Sequence, residues 1–320
     1  MPYTTGSTIT TTEYNSFASD TNDVWGIGTG DYGYGQTNTI STVALGNTIT
    51  ATQWTTLLSR VRSAGNHQGS SFTVPASVST GNTISVISAL STDVATIRTN
   101  RLNNSANFSD TSNPNTVNAS RNGSWQTACT HVFTVTFANN SGPSGNSAQD
   151  AARQFFNAGG KILLSASRTG GSATTRNTGW ESLLTACGTI VFGAQGTTKS
   201  GGSGSPTTLA TTIGYHDLTT SPQVIFKQFD TTAAYTSNYY QIAVSTNTVT
   251  DPDGRGGKGS VLTFTVTFQE DDSNVFQEAV DGTLTSSITS RAPNTTYLNN
   301  LPFTVTYANS AGAGNFSTAS

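Results

Sequence analysis

A chain of 320 residues can bury a sizeable core and is long enough for about two domains. Only 10% of it is charged, against roughly 25% in ordinary soluble proteins, and Ser, Thr, Asn and Gly take the vacated places. The 14 Lys+Arg and 17 Asp+Glu leave a net charge of −3, and the cations are scattered. That excludes a nucleic-acid partner, which needs clustered cations to displace phosphate counterions. It equally excludes a basic membrane-surface face, and no run of about 18 apolar residues spans a bilayer.

The N-terminal Met1-Pro2-Tyr3-Thr4-Thr5 has neither the basic region nor the apolar stretch of a secretory signal. The polar, hydroxyl-rich composition nevertheless fits an extracellular or virion surface. One phrase then occurs three times, as Gly6-Ser7-Thr8-Ile9-Thr10, Gly46-Asn47-Thr48-Ile49-Thr50 and Gly81-Asn82-Thr83-Ile84-Ser85. In the first two copies it leads into a capping box, Thr10 with Glu13 and Thr50 with Gln53. There the Thr hydroxyl accepts from the third helical amide and the Glu or Gln reaches back. Helical stripes follow: Tyr14, Phe17, Val24 and Trp25, then Trp54, Leu57, Leu58 and Val61. The third copy gives a short seam, Ile87, Leu90, Val94 and Ile97. The seam either packs on the other two helices or is shared between subunits of a trimer.

Between the first two helices, Gly28, Gly30 and Gly33 satisfy G-x-G-x-x-G in the wrong setting. A dinucleotide site needs a strand before the glycines and a helix after them. The expectation is instead a Gly/Tyr loop lying on a neighbouring subunit, with Trp25, Tyr32 and Tyr34 as contacts. Residues 1–103 thus read as an N-terminal strand-helix repeat region for assembly or docking, 104–126 as a polar linker, and 127–320 as a β-rich, sandwich-like domain.

In that third region three phrases alternate strictly: Phe133-Thr134-Val135-Thr136-Phe137, Phe264-Thr265-Val266-Thr267-Phe268 and Phe303-Thr304-Val305-Thr306-Tyr307. Each predicts a strand with one buried face. Further strands are expected at Lys161–Ser167, Thr189–Gly193, Gln223–Phe229, Tyr239–Ser245 and Gly282–Ser290. Two helices interrupt them, one over Ala148–Asn157 and one beginning at Thr178 with Glu181 three residues later. Gln195–Pro206, with Gly201-Gly202-Ser203-Gly204, reads as a flexible excursion. The fold class is therefore α+β, mainly β: short N-terminal helical repeats, then a β-sandwich or jelly-roll-like domain with two short helices.

Chemistry is sparse. No Ser sits in G-x-S-x-G, and H-E-x-x-H and a phosphate-binding Gly-Lys loop are absent. His216 next to Asp217 reads as a turn residue. Glu270-Asp271-Asp272 reads as a solvated loop at a strand end, with calcium the alternative, since adjacent acids point apart while a glycosidase needs them facing. Asp251-Pro252-Asp253-Gly254 reads as a glycine-rich hairpin turn, with calcium the alternative. Cys129 and Cys187 are expected as buried thiols or a single bridge. No catalytic, cofactor-binding or metal residue is assigned, and the chain is read as no enzyme.

Two stretches carry a resemblance. Tyr34-Gly35-Gln36, Thr50-Ala51-Thr52-Gln53-Trp54 and His67-Gln68-Gly69 resemble virion structural proteins of large contractile-tailed bacteriophages, particularly cyanophages. Arg153 to Ile162 with FFNAGG, then Trp180, Leu183-Leu184, Cys187 to Phe192, Ile213 to Leu218, Val224 to Phe229 and Arg291 to Leu298, resemble a β-rich module of phage tail and fibre-associated proteins. The resemblance implies a virion protein assembled in the host cytoplasm and released by lysis. Its implied partners are other tail, neck or baseplate proteins and copies of itself, a trimer among the candidate symmetries. The alternative is a host-glycan-binding adhesin or tail-fibre module, with Tyr235, Tyr239 and Tyr240 as an aromatic platform.

Overall fold

The computed structural model describes residues 9–75, 87–104, 111–112, 116–270 and 279–310. The chain begins with three helices, α1 (Thr11–Trp25), α2 (Ala51–Gln68) and α3 (Ile87–Thr99). Both predicted capping boxes are formed. Glu13 N donates to Thr10 Oγ1 at 3.2 Å and Thr10 N to Glu13 Oε2 at 2.8 Å. Thr50 and Gln53 repeat the pattern at 3.2 and 2.9 Å. Thr50→Ala is expected to cost about 1 kcal/mol, the usual worth of an N-cap, measured as a shift in urea midpoint at unchanged slope.

The helical stripes meet in one cluster that buries Tyr14, Val24, Trp25, Trp54, Leu57, Leu58 and Val61. Leu90, Val94 and Ile97 join it at 0–3% exposure. The seam of the third helix is therefore filled from within the chain and is not available to a threefold axis. The third copy of the glycine phrase lies outside the described residues, as does the side chain of Ile87.

The β part comprises β1 (Thr111–Ser112), β2 (Val117–Asn122), β3 (Ala128–Asn139), β4 (Lys161–Thr169), β5 (Thr189–Phe192), β6 (Thr197–Ser200), β7 (Thr208–Leu209), β8 (Gln223–Phe229), β9 (Tyr239–Thr246), β10 (Val261–Gln269), β11 (Thr283–Ala292) and β12 (Phe303–Ser310). Helix α4 (Ala148–Asn157) lies between β3 and β4, and α5 (Thr175–Cys187) between β4 and β5. One antiparallel sheet runs β1-β11-β4-β5-β6, with β2 also on β11; the other runs β12-β3-β10-β9-β8-β7. The three Phe-Thr-Val-Thr phrases are neighbours in this second sheet, with Phe264 opposite Phe133 and Val305 opposite Phe137.

Strict alternation turns Phe133, Val135 and Phe137 with Leu262, Phe264, Val266 and Phe268 inward. There they share one core with Ile162, Ile190, Phe192, Leu284 and Ile288 of the first sheet. Two inner faces enclosing one apolar layer is the sandwich principle. Asn309 Nδ2 donates to Asn118 O at 2.6 Å, and Thr197 N to Ala210 O at 3.0 Å, linking the sheets at their edges. Cys129 and Cys187 are buried thiols in this core, and burial pushes them up to about 11 and about 12.

Several expectations are corrected. β1 and β2 fall within the expected linker 104–126; Ala119 is fully buried and Asn118, Ser120 and Asn122 bond to Ser287, Thr285 and Thr283 across the ladder. The flexible excursion contains β6, and Lys199 Nζ donates to Gly202 O and Gly204 O, which ties its loop down. Helix α5 is capped by Thr174, whose hydroxyl accepts from Asn177 N, not by Thr178. Thr178 Oγ1 instead bonds back to Thr174 O, and Glu181 pairs with Arg168 at 2.6 Å.

Candidate functional site

Four segments far apart in sequence converge where the helical part meets the sandwich: the glycine-rich loop 26–35, helix α4, the turn at Tyr215–Asp217 and the loop 251–259. Ser147 caps α4, and Asp150 completes its capping box. One turn on, Arg153 leaves the helix fully buried. Its guanidinium donates to Ile27 O at 2.7 Å, Gly28 O at 3.1 Å, Gly30 O at 3.3 Å and Tyr32 O, and to Asp150 Oδ1 at 2.8 Å. Arg's planar fork suits several fixed acceptors at once, which an ammonium does not.

Asp150, itself 1% exposed, accepts a second guanidinium, Arg255 Nη1 at 2.6 Å. Arg255 O in turn accepts from Gly30 N at 2.6 Å, so the two loops are stitched through both side chain and backbone. Asn157 Nδ2 donates to Tyr32 O at 2.8 Å, and its Oδ1 accepts from His216 Nε2 at 2.9 Å. Burial holds His216 down to about 4, so it is neutral near pH 7. Asp217 does not orient that ring; its carboxylate accepts from Gly214 N at 3.1 Å.

The glycine-rich loop is thus an internal seat. Trp25 is 0% and Tyr34 1% exposed; Trp25 Nε1 donates to Asn38 Oδ1 and Tyr34 OH to Arg101 O. Tyr32 lies under the guanidinium of Arg101, 4.1 Å from its ring centre. The expectation that this loop lies on a neighbouring subunit is corrected: it needed exposed aromatics, and the chain uses these itself. Gly33 shows how tight the seat is. At φ +95° its Cβ would fall 2.2 Å from Ile27 O. Gly33→Ala is expected to cost about 1–3 kcal/mol through backbone strain and overpacking, read from urea unfolding.

The loop expected as a hairpin turn or calcium site closes on itself. Gly256 N donates to Asp251 Oδ2, and Asp253 accepts from Arg255 N and Ser147 Oγ. Glu270, expected in solvent, is 6% exposed. It accepts from Trp180 Nε1 at 2.8 Å and Asn238 Nδ2 at 2.7 Å, and pairs with Arg176 at 3.1 Å. Solvent is replaced there by three donors, which is the condition for burying a carboxylate. Asp271 and Asp272 lie outside the described residues. Of the aromatic platform, Tyr240 is buried, while Tyr235 carries Arg176 and Tyr239 carries Lys227 over its ring.

What the junction can do chemically is hold. Its donors and acceptors are largely matched, and its charges neutralise one another. Among the described residues no three His, Cys, Asp or Glu side chains gather as metal ligands, and no helix is long and apolar enough to cross a membrane. Sequence reading missed Asp150, Arg153, Asn157 and Arg255 as one unit. The available signal was an arginine two residues before Phe155-Phe156 in a chain of which only 10% is charged. Compared with protein-family models, curated proteins and solved structures, the chain matches none.

Proposed function

We propose that the chain is a non-enzymatic structural subunit of a tailed-bacteriophage virion, placed in the tail, neck or fibre-attachment apparatus, where it contacts other virion proteins and copies of itself. The observation that carries this reading is the outer face of the second sheet. Alternation turns Thr130, Thr134 and Thr136 of β3 and Thr263, Thr265 and Thr267 of β10 outward. Thr134 lies opposite Thr263 and Thr130 opposite Thr267, while Val132 faces Thr265 and Val261 faces Thr136 on the same side, and Thr306 of β12 lies opposite Thr136.

A threonine-rich face without charges, interrupted by two valines, packs on a neighbour without stripping water from charges, whose desolvation is costly at interfaces. The buried junction supports the same reading, because it joins the helical and β parts into a unit suited to transmit load. The resemblance of the two quoted stretches to contractile-tailed phage proteins supplies the particle. The test is peptide mass spectrometry on gradient-purified particles washed at high salt. The chain is expected at a fixed copy number per particle, and its loss with the soluble fraction would overturn the reading.

A further inference from the structure

The threonine-rich face of the second sheet has an internal order. Residues directly opposite on paired strands share one side of the sheet, so a row can be followed across it. Val132 of β3 lies opposite Thr265 of β10, Thr265 opposite Ala243 of β9, and Ala243 opposite Val224 of β8. One hydroxyl interrupts this otherwise apolar row, and Val224 at its end is 36% exposed. On one side of the row lie Thr134, Thr263 and Ser245, and on the other Thr130, Thr267 and Gln241. Helices α4 and α5 approach the sheet from within: Phe155 meets Phe137 and Phe303, and Trp180 meets Phe268.

An apolar band flanked by neutral hydrogen-bonding groups is the anatomy of a protein interface, and its chemistry selects the partner. A hydroxyl or amide both donates and accepts, so such rows match a second copy of themselves, whereas rows of carboxylates or ammonium groups do not. Among the described outward residues of these strands Lys227 alone is charged, and its Nζ lies 3.6 Å over the Tyr239 ring at the β8 border. Size agrees. Five strands about 4.8 Å apart and about 30 Å long span about 700 Å². Two copies then bury about 1,400 Å², inside the range of roughly 1,200–2,000 Å² for specific interfaces.

We propose that two copies of the chain pair through this face, sheet on sheet, about a two-fold axis near Thr265. The axis lays the apolar rows on one another at the centre and brings the hydroxyl rows together on either side. It sends the two Lys227 side chains to opposite corners, so no like charges meet. The inference rests on the reading of this face as a contact surface and names its occupant.

The experiment is sedimentation velocity on the purified full chain from about 1 to 300 µM, where a dimer with Kd of roughly 1–100 µM is expected. Thr265→Lys sets like charges beside the axis and should weaken the dimer about tenfold or more. Thr265→Glu should do the same, and an equimolar mixture of the two should pair again. Val224→Lys, at an exposed position, leaves a charge unpaired in the apolar band and should also weaken the dimer about tenfold. Ser167→Lys, exposed on the other sheet, should leave Kd within about twofold. Thermal melting checks that each variant is folded. A monomer throughout the range, a dimer that persists in both Thr265→Lys and Val224→Lys, or a charge-swapped mixture that stays monomeric would overturn the proposal. None of these results removes the chain from particles, so the virion reading stands or falls separately on its copy number there.

Discussion

Replacing Arg153 with alanine is expected to destabilise the protein by about 3–5 kcal/mol, the range for removing one partner of a buried ion pair. The change strips donors from four carbonyls of the 27–32 loop. It also leaves Asp150, 1% exposed, with Arg255 as its remaining guanidinium. Buried acceptors that lose their donor cost more than the bond was worth, because water does not replace it. Arg153→Lys should recover only part of the loss, since one ammonium does not span the same set of acceptors. The damage should be local first: amides of residues 27–35 should exchange faster while those of β3 and β10 stay protected. Urea unfolding with hydrogen exchange by mass spectrometry checks both halves. A loss under about 1 kcal/mol would mean that the loop is held by packing alone.

Stability is expected to fall steeply as pH drops from about 6.5 to about 4. All three histidines are neutral and shielded. Burial, helped by nearby Arg121, holds His131 down to about 4; burial does the same for His216; and burial lowers His67, whose Nε2 donates to Ala158 O at 2.9 Å. A histidine with a lower pKa folded than unfolded binds its proton more readily in the unfolded chain. The stabilisation is therefore complete above the unfolded value near 6.5 and is lost on the way down to the folded value near 4. His131 and His216 should each contribute roughly 2–3 kcal/mol across that window. Arg101 keeps the Asp31 carboxyl below its ordinary value against the opposing effect of burial, so its share is lost only at more acidic pH. Urea titrations at pH 7.5 and 4.5 measure the drop, and His131→Asn with His216→Asn should flatten it. Equal stability at the two pH values would contradict the neutral, buried assignment.

Local signals were legible in the sequence wherever the partner lies within a turn. Thr10 with Glu13 and Thr50 with Gln53 are complete within four residues, and alternation in the Phe-Thr-Val-Thr phrases fixes which face is buried. What was not legible depends on distant partners. Ile27 and Gly28 face an arginine that lies at position 153, so a loop of glycine and tyrosine looked like an external contact. Glu270 reads as solvated next to Asp271 until Trp180, Asn238 and Arg176 are brought to it. Ser120 and Asn122 look like linker because their strand is recruited by hydroxyl partners on β11, not by an apolar pattern of their own. The start of α5 was misplaced for a subtler reason. Thr174 and Thr178 both have a polar residue three positions on, and the tertiary partners of those residues, Asp281 for Asn177 and Arg168 for Glu181, are not visible in the local pattern.

The virion reading is tested most directly by immunogold electron microscopy of purified particles with antibody raised against the whole chain. The account predicts label at one fixed position on the tail, neck or fibre attachment of nearly every particle. Particles without label, with the chain confined to the soluble fraction of the same lysate, would contradict it.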